Sequence, residues 1–442
     1  MGHSLYFIQS LLKFDRVINI NKLNFSAFAN GLLNVDRKCV DPSSLLNVVN
    51  KLHLCHSNCS NRPTKEDLKS NDVQELLHNA ATFEHEGNEE LTPDNVWATS
   101  PYPKGAVNHR LQSRHSLRPR VDPRETSLIL FPGEGSQYVG MVGDLLVFPG
   151  VKDIFAATNE ILKYNLLSLC MQGPKSKLDE TKYAQVAVMV CSFAALEKLR
   201  EERPNTVDSC IATAGFGVGE LTALSFAGAF SFERAVRLAQ LRGEAMQTAS
   251  EMEPGGMLTV MYTPSTKIHE VLAKAKEYAA EQGVEKPVCE VAHHLFPHCK
   301  VIAGHIQCLT FIEKNNKSLK INKTRRLNIS GAHQTSLMQP AALTFKKYLQ
   351  RSNVQDPVIA VHSTVTGKIY RNREDILKNL HKQMVKPIKW EQMMHIMYER
   401  PVGSHFPTTY EVGPGNTLKT VLKMVNAKAY DSCFSVFDAT SV

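Results

Sequence analysis

The chain has 442 residues, 43% of them apolar and 21% charged, with 24 Gly, 21 Pro and 10 Cys. Such a composition builds a sizeable core and excludes collagen-like, disulfide-stapled and wholly disordered architectures. Fifty-one Lys and Arg against 43 Asp and Glu give a formal charge of +8, too dilute to indicate nucleic-acid binding but favourable to an acidic partner.

Residues 1–14 hold no acid and fit a short amphipathic helix, yet Asp15 follows at once and Arg16 is the first arginine. A mitochondrial presequence is therefore only weakly written, and Tyr6, being neither Ser nor Thr, argues against myristoylation. His53-Leu-Cys55-His56-Ser-Asn-Cys59 is the nearest approach to a metal cluster. No second ligand pair follows at a zinc-finger interval and no CxxC occurs, so no metal site is expected and the cysteines read as reduced thiols. An acidic stretch over 66–94 gives way to a basic one over 104–124, the pattern of a solvated linker.

Regular patterning starts at Ser127-Leu-Ile-Leu-Phe131, an apolar run closed by Pro132-Gly133 that reads as a buried strand. Val151, Ile154, Phe155, Thr158 and Leu162 follow at helical spacing, and Val186–Leu199 forms a second helix, apolar nearly all round. The longest apolar stretch, Ala184–Leu196, falls short of the ~18 residues of a membrane span. Cys210–Ala214 is another buried strand, leading through a Gly-rich turn into a helix near Glu220. Strands alternating with helices predict a parallel sheet covered on both faces.

From Met257 the pattern changes. Strands are expected at Met257–Tyr262, Val288–Ala292, Lys300–Ala303 and within Ser318–Ile329, with helices at Thr266–Gln282 and Gly304–Lys314. That is βαββαβ, the ferredoxin-like succession. The α/β pattern resumes with a helix at Leu337–Gln350 and strands at Val358–His362 and Tyr410–Val412. The fold class is thus α/β, a parallel-sheet core with an inserted ferredoxin-like small subdomain.

Ala214-Gly215-Phe216-Gly217-Val218-Gly219-Glu220 lies between a strand and a helix. As a dinucleotide fingerprint it fails, because Glu220 stands where GxGxxG needs its third glycine. As a nucleophile elbow, GxSxG, it fits except at the centre, where Gly217 replaces the nucleophile.

With this turn the chain resembles the malonyl-CoA:acyl-carrier-protein transacylases of the mitochondrial animal type. The resemblance runs from Val96 to Val436 through Trp97-Ala-Thr-Ser-Pro-Tyr-Pro103, Phe131-Pro-Gly-Glu-Gly-Ser-Gln137, Gly215-Phe-Gly-Val-Gly-Glu220 and Leu241-Arg-Gly-Glu-Ala-Met-Gln247. It continues in Ser330-Gly-Ala-His-Gln-Thr335, Val385-Lys-Pro-Ile-Lys-Trp390 and Glu411-Val-Gly-Pro-Gly415. It implies an α/β-hydrolase-like core with a ferredoxin-like insert, a leader over residues 1–95, a large α/β subdomain over 96–256 and 330–442, a small one over 257–329, and a place in the mitochondrial matrix. It also implies two acyl transfers through one serine: malonyl is taken from CoA with a His as base, then passed to the phosphopantetheine thiol of acyl carrier protein. The ligand is a CoA thioester, and no separate cofactor is involved.

Carried over residue by residue, the resemblance makes Arg242 the partner of the malonyl carboxylate, Gln185 a pocket residue, and the N–H groups of Val218 and Glu134 the oxyanion donors. Family members usually have Gln at position 134, and a carboxylate there repels both oxyanion and malonate. The nucleophile position is Gly217 and the base position is Gln334, with His333 one residue out of step. Two further site positions, usually Asn, are His293 and Thr364. Ser136, Ser225 and Cys191 are the substitute nucleophiles to consider. Lys323, Arg325, Arg326, Lys346 and Lys347, together with Arg242, suit an acidic carrier protein.

Three readings stay open. One is a non-catalytic member that keeps CoA, malonyl or carrier-protein binding. The others are an active malonyl transferase or thioesterase by another route, and a structural or regulatory partner without a ligand. Loss of nucleophile and base together favours the first.

Overall fold

The computed structural model describes residues 122–400 and 405–437. The weak presequence, the His53–Cys59 cluster, the two charge blocks up to residue 121 and the Trp97–Pro103 motif lie outside them.

Two five-stranded sheets organise the described residues. The first is wholly parallel. Its strands are β1 (Ser127–Phe131), β2 (Cys210–Gly215), β7 (Ala360–His362), β9 (Thr408–Glu411) and β10 (Cys433–Ser435), in the spatial order β10-β9-β1-β2-β7. All five residues of β1 are buried, as a continuous apolar strand covered on both faces must be. Helix α1 (Pro149–Leu162), the long α2 (Thr181–Glu202) and α4 (Phe232–Met252) pack together beside this sheet. Between β2 and α4 stands α3 (Gly219–Phe226), every residue of it buried. Registers Phe131↔Gly215 and Leu130↔Glu411 bring the carboxyl ends of β2 and β9 level with that of β1. In open parallel sheets this edge is where ligand sites form.

The second sheet contains β3 (Gly255–Tyr262), β4 (Cys289–Phe296), β5 (Cys299–His305), β6 (Ile321–Arg326) and β8 (Ile388–Lys389), ordered β6-β3-β5-β4-β8. The first four are antiparallel, and β8 joins β4 in parallel. With α5 (Ile268–Glu281) and α6 (Ile306–Lys314) the succession is βαββαβ. Strand periodicity sorts its two faces. Leu258, Val260 and Ile302 pack under the two helices. Met257, Val301 and Ala303 face the other way onto Ala332, which seats the 330–335 segment against this sheet.

Some elements differ from the sequence expectation. Gly304 opens no helix. It lies inside β5, where a Cβ would lie 2.0 Å from the Val288 carbonyl oxygen, so the close strand approach admits only glycine and α6 starts two residues later. Strands β8 and β10, of 2 and 3 residues, carry no alternation long enough to read. They are recruited by neighbours already in place. Helix α7 (Gln339–Gln350), α8 (Trp390–Met397) and α9 (Thr417–Val425) complete the main elements, and Trp390 sits fully buried in the core beneath β1 and β2.

Candidate functional site

The turn between β2 and α3 is closed by backbone contacts. A Cβ on Gly215 would lie 1.9 Å from the Gly219 carbonyl, and one on Gly219 would lie 2.3 Å from the Phe131 carbonyl oxygen. Both clashes are with main chain, so only glycine serves there. Gly217 differs. Its φ is +58°, yet a Cβ would meet nothing within 4 Å. The sharp turn is present and the space for a central side chain is open. Phe131 is tied to the turn by the Phe216 N–H, which donates to its carbonyl at 2.9 Å. Among the described residues the N–H groups of Glu134 and Val218 are spent on no partner, as oxyanion donors must be.

Gln334 is engaged in a partnership of its own. Gln334, at φ +58°, is buried, and its Oε1 lies 2.9 Å from His293 Nε2. Burial pushes His293 down to about 4, against the pull of that hydrogen bond. The ring is therefore neutral at pH 7, with Nε2–H donating to the amide. Phe216 stacks edge-on against His293 at 4.9 Å. Neighbouring His333 points elsewhere, its Nδ1 3.9 Å from Glu134 Oε2. Burial lowers its pKa too, and Arg242 adds to that against the opposing Glu134 carboxylate. Two adjacent residues thus serve two different partners.

Arg242 on α4 is 3% exposed and is held from two sides. Nη1 donates to Gln185 Oε1 at 2.6 Å and Nη2 to Gln383 Oε1 at 2.8 Å. Gln185 Nε2 in turn donates to Glu134 Oε2 at 3.0 Å, while Thr181 Oγ1 donates to Glu134 Oε1 at 2.7 Å. On the other side Gln383 Nε2 donates to the Gly217 carbonyl at 2.9 Å and to Glu220. Glu220 also accepts from Tyr370 Oη and from both N–H and Oγ1 of Thr364. Burial raises the Glu220 pKa against those hydrogen bonds. Burial pulls Arg242 down to about 10, opposed by Glu134 and Glu220, so the guanidinium remains charged at neutral pH. One buried cation is linked to two acidic side chains through two glutamine relays, so that each polar group in the chain of contacts finds a partner.

The structure brings Glu134, Gln185, Gly217, Val218, Arg242, His293, His333, Gln334 and Thr364 to one place. It adds Gln383, Glu220 and Tyr370, which sequence reasoning did not single out. Glu220 was read only as the residue that breaks the dinucleotide fingerprint, and Gln383 lies two residues before the Val385–Trp390 motif. The substitute nucleophiles are all committed elsewhere. Ser136 Oγ donates to the Gly133 carbonyl at 2.8 Å and Ser225 Oγ to the Phe230 carbonyl at 3.2 Å. Cys191 is fully buried in α2, and burial drives its thiol well above the ordinary value. Of the basic residues, Arg242 belongs to this interior network and Arg326 pairs with Glu313 at 2.5 Å. Lys323 and Arg325 lie exposed on β6 and Lys347 on α7, where Lys346 is half-buried.

A parallel sheet whose central strands feed a glycine elbow, with a small mixed sheet closing over it and a buried arginine on the following long helix, defines an acyltransferase scaffold. The acyl transferase domain family matches residues 129–280. The Drosophila melanogaster protein named "probable malonyl-CoA-acyl carrier protein transacylase, mitochondrial" is 52% identical over 319 residues, covering 72% of this chain and 84% of the fly protein. The Homo sapiens mitochondrial malonyl-CoA-acyl carrier protein transacylase is 42% identical, covering 79% and 87%. Among solved structures, a malonyl-transacylase in complex with its type II PKS acyl-carrier protein superposes with a TM-score of 0.61 at 28% identity, covering 70% of this chain and 94% of that one. The chain belongs to the malonyl-CoA-acyl carrier protein transacylase family.

Proposed function

We propose that this chain is a non-catalytic member of its family, a pseudoenzyme that binds a malonyl-CoA-type thioester or the acyl carrier protein without taking the acyl group onto itself. The observation that carries this reading is Gly217, an elbow residue with room for a side chain and none present. Gln334 supports it, since an amide turned to His293 supplies no base. The fly and human relatives are named mitochondrial, which supports a mitochondrial location, in our reading the matrix. The solved transacylase–carrier complex supports a phosphopantetheine-bearing carrier protein as partner. In the same reading residues 257–329 form a ferredoxin-like small subdomain within a larger one made by 96–256 and 330–442. The test is incubation of the full chain with radiolabelled malonyl-CoA, followed by denaturation and gel separation. No label is expected on the protein, and a stoichiometric covalent label would overturn the reading.

A further inference from the structure

The segment that carries Gln383 also faces outward. Leu380–Met384 forms a single 3-10 turn. Gln383 points inward to Gly217, Glu220 and Arg242. His381 and Lys382, just before it, wall a surface cleft of about 480 Å³. Lys346 and Gln350 of α7 and Glu374, Leu377 and Lys378 of the adjoining helix complete it. Three lysines and one carboxylate therefore line the same cleft, and that carboxylate already accepts from Arg373 Nε at 2.9 Å. Lys382 Nζ is held at the cleft by Asn379 Oδ1 at 3.2 Å. Burial lowers the His381 pKa, and the charges of Lys346 and Lys382 lower it further against the opposing Leu377 carbonyl.

We propose that this cleft binds a small phosphate-bearing anion of nucleotide size, and that its occupancy reaches the glycine turn through Gln383. The size favours such a ligand over a protein partner, because concave sites of roughly 300–1,000 Å³ suit small molecules. Lysine ammonium groups act as point charges toward phosphate oxygens, and Leu377 offers an apolar wall to a ring. The coupling has a physical path: a shift of His381 or Lys382 moves the next residue, whose amide bridges the Gly217 carbonyl, Glu220 and Arg242. The proposal is independent of whether the interior site holds a thioester.

The test uses the full chain with Trp97→Phe, which leaves Trp390 as the single tryptophan of the two in the sequence. Its ring centre lies 5.2 Å from that of Phe216 in the turn, so its emission reports there. Pyrophosphate and ADP are titrated separately, with sulfate as control, by calorimetry and by Trp390 emission. Either phosphate is expected to bind about tenfold or more tighter than sulfate, with at least a tenfold loss in Lys346→Glu/Lys378→Glu. Both substitutions lie at the surface, and a matching circular dichroism spectrum verifies the fold. Binding no tighter than sulfate, or unchanged by the charge reversals, would overturn the site. Phosphate binding by calorimetry with unchanged Trp390 emission would overturn the coupling. Capture of an acidic carrier protein at this cleft without a response to either phosphate would assign it to a protein and overturn the proposal.

Discussion

At residue 217 the difference between a reactive serine and this glycine is a Cβ and a hydroxyl, and nothing lies within 4 Å of where that Cβ would stand. Gly217→Ser is expected to fold, paying about 1–2 kcal/mol for an L side chain in the left-handed region. That corresponds to a fall in melting temperature of a few degrees. Gly219→Ala places its methyl 2.3 Å from the Phe131 carbonyl, so overpacking of about 3 kcal/mol or more is expected. Calorimetric scans of the two variants side by side check the contrast, and equal melting temperatures would contradict the account of the turn. Gly217→Ser alone should remain free of malonyl label, because Gln334 and His293 hold each other. The elbow and Arg242 were legible in the sequence because their residues stand in contiguous motifs. Gln383 was not: it meets Gly217 across 166 positions and Arg242 across 141, and nothing local in Lys382-Gln383-Met384 announces either contact.

Among elements, the contact of α8 with β4 and β5 gathers ionisable groups away from water. Glu391 on α8 is 1% exposed, and burial pushes its carboxyl up to about 8, opposed by Lys300 on β5. The folded state therefore holds a proton that the unfolded chain releases near its ordinary value of 4.5. Stability from this group is complete at low pH and is lost as pH rises from there through about 8. Glu391→Gln is expected to raise the melting temperature more at pH 9 than at pH 5. A larger gain at pH 5 would reverse the sign and refute it. At this scale the sequence was informative wherever periodicity was long. Leu258 and Val260 alternate with Met257 as a two-faced strand should, whereas β8 is 2 residues long and exists only because β4 offers an edge.

Over the whole molecule, buried histidines set the acid limit of stability. Burial brings His293 and His395 down to about 4 and His294 to about 3, each from 6.5, with nearby cations adding to the effect on His294. Below pH 6.5 the unfolded chain takes up protons that the folded one refuses, so stability falls as pH drops toward 4. Each group contributes on the order of 3 kcal/mol over that window. The melting temperature should decline steadily from pH 6.5 to pH 4 in scanning calorimetry, and a flat profile would refute the burial of these rings as neutral species. The overall architecture was the most legible level, since two sheets of different pattern write two different periodicities. What stayed hidden was the network from Thr181 through Arg242 to Tyr370, which exists only after α2, α3, α4 and the Leu380–Met384 turn have come together at the carboxyl edge of the parallel sheet.

The glycine turn has one more consequence. Gly215 and Gly219 are fixed by main-chain contacts that never touch the side chain at 217. Shape and display are therefore separable here: substitution at the apex leaves the turn standing, and any retreat of the turn would have to begin at its flanks. The apex is an interchangeable fitting on a rigid mount. Drift at residue 217 can silence or restore a group there without asking the rest of the fold to adapt.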